Sequence, residues 1–216
     1  DIPENPANRR TTANYQMDLN QQKGTLRAYY ASVSFVDALV GKILTALEKT
    51  GQRDNTIVIL TSDHGYHLGE HDLWQKVSIH EESARVPLII CVPGKKTAVC
   101  HSLSELIDLY PTVSQLCGLK IPGNVQGKDI SIMFDDPTVK VRDAALSSGK
   151  GRLLRTEKWA LLDYGKKGEL YDMEKDPKQY ENLFEKPEYA ETLVMLKEKL
   201  KAKLNEIEKH DLYLIK

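Results

Sequence analysis

Between Asp63 and Lys76 the chain gathers Asp63, His64, His67, Glu70, His71, Asp72, Trp74 and Lys76. So many ionisable groups in so short a run are costly to hold together unless they share a cation or an anion. Asp63 offers a hard carboxylate oxygen to a divalent cation. His64 offers a borderline imidazole nitrogen, which suits transition metals better than calcium and leaves the ion's identity open. An isolated Asp-His pair can also do no more than cap and solvate a strand-to-loop junction, so the density of neighbouring groups carries the functional reading.

The elements around this run are suited to deliver it. Thr56-Ile57-Val58-Ile59-Leu60-Thr61 is a continuous apolar, β-branched stretch, the pattern of a strand buried on both faces in a parallel sheet covered by helices. Asp63 and His64 lie just past its carboxyl end, where open α/β sheets bind ligands, and Gly65 lets the backbone turn sharply there. Upstream, Leu26, Tyr29, Tyr30, Val33, Val36, Val40, Ile43, Leu44 and Leu47 recur at three- and four-residue steps. This spacing predicts an amphipathic helix over 25–49, closed by Gly51 and Asp54-Asn55, and with the strand it makes half of an αβ unit. Ser78 to Arg85 reads as a helical turn. Val86 to Val92 reads as a second strand, with Pro87 marking an edge or a start and Cys91 a buried strand residue. His80, Glu81 and Glu82 form a second polar cluster between the two strands, either lining a cleft or solvated.

Ser62-Asp63-His64-Gly65, Leu68-Gly69-Glu70-His71, Trp74, Lys76, Arg85-Val86-Pro87-Leu88-Ile89-Ile90 and Pro93-Gly94 together resemble the C-terminal half of the type I sulfatases of the alkaline phosphatase superfamily. Among these the chain is most similar to the iduronate-2-sulfatase-like branch. The resemblance extends upstream through Tyr30-Ala31-Ser32-Val33-Ser34-Phe35-Val36-Asp37 and downstream through Asp108-Leu109-Tyr110-Pro111-Thr112, Gly168-Glu169-Leu170-Tyr171-Asp172, Asp176-Pro177 and Glu181-Asn182-Leu183.

What the resemblance implies is specific. The fold is α/β: the C-terminal part of an alkaline-phosphatase-like sulfatase core over residues 1–138, then a small α+β subdomain, an antiparallel sheet plus a helix, over 139–216. Asp63 and His64 are ligands of a divalent cation, usually Ca2+ in that family. Lys76 matches the lysine on the sulfate and the leaving oxygen, and His67, His71 and Trp74 fall where substrate-binding residues are expected. The implied reaction is hydrolysis of a sulfate ester, on a carbohydrate. The family nucleophile is a formylglycine made from Cys or Ser in a C/S-x-P/A-S-R motif, accompanied by two further aspartate ligands. Neither is in this chain, whose nearest look-alike is Cys91-Val92-Pro93-Gly94-Lys95. The expectation is therefore a fragment whose partner is the N-terminal half of the same sulfatase, inactive in isolation. Two alternatives stay open: a phosphodiesterase or phosphonate monoester hydrolase of the same superfamily, and a non-catalytic fragment that associates with a separate N-terminal half.

Composition agrees with part of an enzyme. The 216 residues suffice for one good-sized core or two small ones. Thirty basic and 31 acidic residues nearly cancel to a net charge of −1, which gives no support to a nucleic-acid surface. No uninterrupted apolar run approaches the roughly 18 residues of a membrane span, so none is expected. The chain begins Asp1-Ile2-Pro3 without an initiator methionine or targeting segment, and the expectation is that what preceded it has been removed. Family resemblance implies a periplasmic, secreted or lysosomal setting. The three cysteines lack metal-type spacing, and a Cys100–Cys117 bridge is the one pairing left open.

The remaining stretches complete the scheme. Residues 1–24 are polar and read as a loop or arm, with Arg9-Arg10 either a solvated pair or a contact for an anionic sugar. Ser102 to Gly118 has helical spacing, with Ser102 and Glu105 as a capping box and Pro111 as a kink. Ala144–Leu146, Arg152–Thr156 and Trp159–Tyr164 predict short antiparallel strands, followed by a turn toward Leu170-Tyr171. Leu193, Leu196, Leu200 and Leu204 mark the seam of a helix over 189–208 that packs on that sheet.

Overall fold

A computed structural model describes residues 11–76 and 78–208 of the chain. Among the described residues two compact units separate, one built from residues 11–78 with 82–96 and the other from 97–208 with 79–81.

The first unit opens with helix α1, Leu19–Lys49. It starts six residues before the expected Thr25, because Asp18 and Gln21 cap it reciprocally. Asp18 Oδ1 accepts the Gln21 amide and Gln21 Oε1 accepts the Asp18 amide, each at 2.8 Å. Thr50 is its C-cap, and Gly51 follows at φ 69°, the left-handed conformation that glycine adopts at least cost. No residue of α1 is buried, and Tyr30, Val33, Phe35, Val36 and Ile43 are exposed. Contrary to expectation, α1 is long and apolar enough to cross a membrane, with an 18-residue window of mean hydropathy 1.4. Averaging over a window does not require an uninterrupted run, and here Asp37 and Lys42 interrupt it. This holds by length and composition only, and a core helix of a soluble protein or a signal sequence shares them.

Strand β1, Val58–Thr61, pairs with β4, Leu88–Cys91, in a two-stranded sheet, with Val58 opposite Cys91 and Thr61 opposite Leu88. The pairing is antiparallel, which corrects the parallel expectation. A parallel return needs a crossover, usually a full helix. Among the described residues of the segment joining β1 to β4, the one α-helix is the four-residue α2, Glu81–Ala84, too short for such a crossover. With two strands in the sheet the faces stay partly open. Leu60 and Ile89 are exposed, and so is Cys91, which was expected to be buried.

The second unit is an antiparallel meander in the order β5, Ala145–Ser148; β6, Arg152–Arg155; β7, Trp159–Asp163; and β8, Gly168–Asp172. Helix α4, Ala190–Glu208, places Leu196 and Leu200 in one buried cluster with Ala144, Leu154, Leu161, Leu170 and Leu183, while Leu193 and Leu204 pack at its margin. The leucine seam thus lies where its spacing puts it.

Helix α3, Leu109–Leu116, is preceded by a 3-10 turn, Leu106–Asp108. The cap belongs to Glu105 and Asp108, with the Glu105 amide donating to Asp108 Oδ2 at 2.8 Å. Ser102 Oγ instead donates to the Val139 carbonyl at 2.6 Å. Pro111 sits in the first turn of α3, where its missing N–H costs least, so the change from 3-10 to α takes the place of the expected kink. A division near residue 138 would pass through this unit, because Arg142 pairs with both Glu105, at 2.6 Å, and Asp108. Cys100 and Cys117 are free thiols, so no bridge joins them.

Candidate active site

The loop leaving β1 is shaped by a close approach. The Gly65 amide donates to the Ser83 carbonyl at 2.9 Å, and a Cβ on residue 65 would overlap the Glu82 carbonyl oxygen. Glycine is therefore required by space, which adds to its expected role at the turn.

Just before it, Asp63 and His64 stand side by side. The His64 amide donates to Asp63 Oδ1 at 3.0 Å, and Ser62 Oγ donates to the His64 carbonyl at 2.8 Å. His64 Nδ1 lies 2.8 Å from the Gly65 carbonyl, which can only accept, so Nδ1 carries the proton. The lone pair is then left on Nε2, which lies 3.5 Å from Asp63 Oδ2. A backbone carbonyl holding the far nitrogen in this way fixes the tautomer a metal ligand needs. What desolvation Asp63 feels raises its pKa, but His64, the local backbone amides and Lys76 outweigh it and hold the carboxyl below its ordinary value. A hard oxygen and an oriented imidazole nitrogen fit two ligands of a divalent cation. Among the described residues no group of three or more Cys, His, Asp or Glu side chains could hold one alone.

Lys76 follows strand β3, Trp74–Gln75, which pairs with β2, His67–Leu68, and its side chain is exposed. The other expected contact residues lie deeper. His67 is fully buried, its Nε2 2.6 Å from Ser78 Oγ, and its ring meets that of His71 edge to face at 6.0 Å. His71 Nε2 lies 3.5 Å from Glu82 Oε2. Burial raises the pKa of Glu82, yet its contact with His71, the local backbone amide and the nearby His67 prevail and hold it low. Trp74 is 3% exposed and its Nε1–H donates to Thr12 Oγ1 at 2.9 Å, so its ring forms the wall of the loop over Gly69. Arg9 and Arg10 fall outside the described residues.

The structure adds partners that sequence reasoning did not single out. Thr12 and Ser78 are ordinary hydroxyl residues in sequence, with nothing to mark them. His71, Asp72 and Gln75 all adopt positive φ, at 56°, 59° and 71°. Left-handed non-glycine residues cost energy and cluster at functional sites, and three within five residues mark this loop as held in place by its surroundings.

Comparison with known proteins places the chain. The Sulfatase family model matches residues 3–119, and a second, described as N-sulphoglucosamine sulphohydrolase, C-terminal, matches residues 69–206. An arylsulfatase of Clostridium perfringens is 32% identical over 212 residues, covering 88% of this chain and 44% of the relative. An N-acetylglucosamine-6-O-sulfatase of Bacteroides thetaiotaomicron is 33% identical over 183 residues, covering 76% of this chain and 33% of the relative. Among solved structures, one described as in complex with its substrate D-glucosamine-2-N,6-O-disulfate superposes with a TM-score of 0.77 at 30% identity. That match covers 91% of this chain and 43% of the other. The chain spans less than half the length of each of these.

Proposed function

The chain belongs to the sulfatase family, and from that premise we propose that it supplies half of the catalytic centre of a hydrolase for sulfate esters of carbohydrates. The observation that carries this reading is the Asp63–His64 pair, with the imidazole tautomer fixed by the Gly65 carbonyl and Nε2 turned toward the carboxylate, in a loop whose Lys76 acts electrostatically on Asp63.

In this reading Asp63 and His64 are two ligands of a divalent cation, calcium by family, which when bound draws charge from the sulfate oxygens. Lys76, exposed and cationic, holds a sulfate oxygen and neutralises the leaving oxygen as its charge develops. His67 and His71, locked by Ser78 and Glu82, hold the loop in the geometry that presents Lys76, and Trp74 backs it. The formylglycine nucleophile and the remaining aspartate ligands belong to the other half of such an enzyme, so this chain alone should release no sulfate. The names of the relatives favour sulfated glucosamine sugars as the class to try first, with iduronate 2-sulfate beside them.

The test is steady-state kinetics of the complete enzyme carrying Lys76 or Lys76→Ala. Loss of a transition-state contact should lower kcat by about a hundredfold or more with little change in KM. Lys76→Arg should rescue poorly, because a planar guanidinium does not replace a compact ammonium. Turnover of a phosphonate monoester or phosphodiester in preference to any sulfate ester would move the assignment to the phosphoryl-transfer relatives. A normal kcat for Lys76→Ala would remove that residue from the machinery.

A further inference from the structure

Residues 79–81 are grouped with the C-terminal unit, although residues 78 and 82 on either side belong to the other. The cause is a buried polar cluster. His80 and Glu169 are both almost wholly inaccessible, and His80 Nε2 lies 2.8 Å from Glu169 Oε2. Tyr171 Oη donates to the same oxygen at 2.5 Å, and Tyr164 also hydrogen-bonds the carboxylate. The His80 and Tyr171 rings lie 6.2 Å apart. Next to this cluster, the Glu81 amide donates to Oε1 of the buried Gln179 at 2.8 Å, and Glu81 Oε1 accepts from Arg155 Nε at 3.2 Å. Residues 79–81 are thus pinned, through His80 and Glu81, to β6, β8 and the segment after β8. By chain continuity they begin three residues beyond Lys76 and end where α2 begins.

A buried polar pair is a poor source of net stability, since desolvation offsets much of its attraction, but it is selective for one arrangement. A hydrophobic residue at position 80 would tie the segment down without choosing a register, whereas His80 engages a single carboxylate. We propose that His80 and Glu169, steadied by Tyr171 and Tyr164, form an acid-sensitive latch that seats residues 79–81 in the C-terminal unit.

The groups facing the pair are His80 on the latched segment, Glu169 and Tyr171 on β8, and Tyr164 beyond β7. Burial raises the pKa of Glu169, but His80 and the two tyrosines outweigh it, so the carboxylate stays charged below the ordinary glutamate range. The latch should therefore hold above that range and release only on stronger acidification.

The Glu81 amide, held by a side chain and outside any strand pairing, reports on the latch. Its hydrogen exchange is to be followed by NMR in the full chain for wild type, His80→Gln, Glu169→Gln and the milder Tyr171→Phe, with Leu161 in β7 as internal reference. Glu81 should exchange at least about tenfold faster in His80→Gln and Glu169→Gln, and less so in Tyr171→Phe, while Leu161 keeps its protection. In wild type the Glu81 rate should depart from the reference on acidification, and in Glu169→Gln that departure should vanish. Equal acceleration at Glu81 and Leu161, or none in Tyr171→Phe and the other variants, overturns the latch.

Discussion

The Gly65 amide and the Ser83 carbonyl meet at 2.9 Å, so the backbone leaving β1 lies directly against the backbone of α2 with no room for a side chain between them. That contact sets the path of the loop carrying Asp63 and His64. Gly65→Ala must push the two backbones apart, because the obstacle is the Glu82 carbonyl and not a flexible side chain. The expected cost is about 1–3 kcal/mol, within the range of overpacking. Denaturant unfolding of wild type and variant measures it, and equal midpoints would show that the approach is not as tight as the geometry says.

The leucine seam of α4 offers a prediction of a different kind. Leu196 is fully buried among Leu154, Leu161 and Leu170, so Leu196→Ala removes contacts the sheet cannot replace and should cost about 2–5 kcal/mol. Val194 and Met195, on the exposed side of the same helix, should each tolerate alanine within about half a kcal/mol. Thermal unfolding of the three variants makes the comparison, and similar losses at all three would mean that α4 does not pack by its seam.

How much of this was legible beforehand follows from the range of the forces involved. The seam of α4, the strands of the meander and the Asp63–His64 run are local patterns, each contained in a few consecutive turns or residues. The direction of β1 against β4 depends on the connection between them, and Ile59 and Ile90 read the same in either direction. Trp74 looked like a surface for substrate because nothing local revealed that Thr12, 62 residues earlier, would take its indole N–H. His80 and Glu169 are 89 positions apart, and each alone is an unremarkable polar residue. Left-handed backbone at His71, Asp72 and Gln75 left no trace in the sequence, since none of them is glycine.

Two ligands are not a binding site, and this bears on metal affinity. Calcium takes six to eight oxygens, and Asp63 with His64 supplies one carboxylate and one nitrogen. Titration calorimetry of this chain should find calcium binding at ~1 mM or weaker, in the range of the weakest protein calcium sites. Asp63→Asn should abolish whatever heat is seen. Micromolar affinity retained in Asp63→Asn would place the ion elsewhere and detach Asp63 from the proposed centre.

The buried Glu169 carboxylate fixes an acid dependence of stability whose sign can be worked through. Its burial favours the neutral acid, but the His80 and tyrosine hydrogen bonds prevail and the folded-state pKa lies below the ordinary value of 4.5. A carboxyl with a depressed pKa binds its proton more readily when unfolded, so its contribution is fully present above the unfolded value. That contribution is lost as the pH falls through the folded one. Glu169→Gln has no such proton to gain. At pH 7 the variant should be less stable than wild type by about 3–5 kcal/mol, the usual result of removing one partner of a buried pair. The gap should narrow as the pH drops below 4.5 and the wild type begins to lose what the variant never had. Acid loss from Asp136 and Asp143, also held low by their hydrogen bonds, is common to both proteins and cancels in the difference. Urea unfolding of the pair at several pH values between 3 and 7 gives that difference directly. A gap that stays constant or widens toward pH 3 would mean that the Glu169 carboxylate is not held charged by His80.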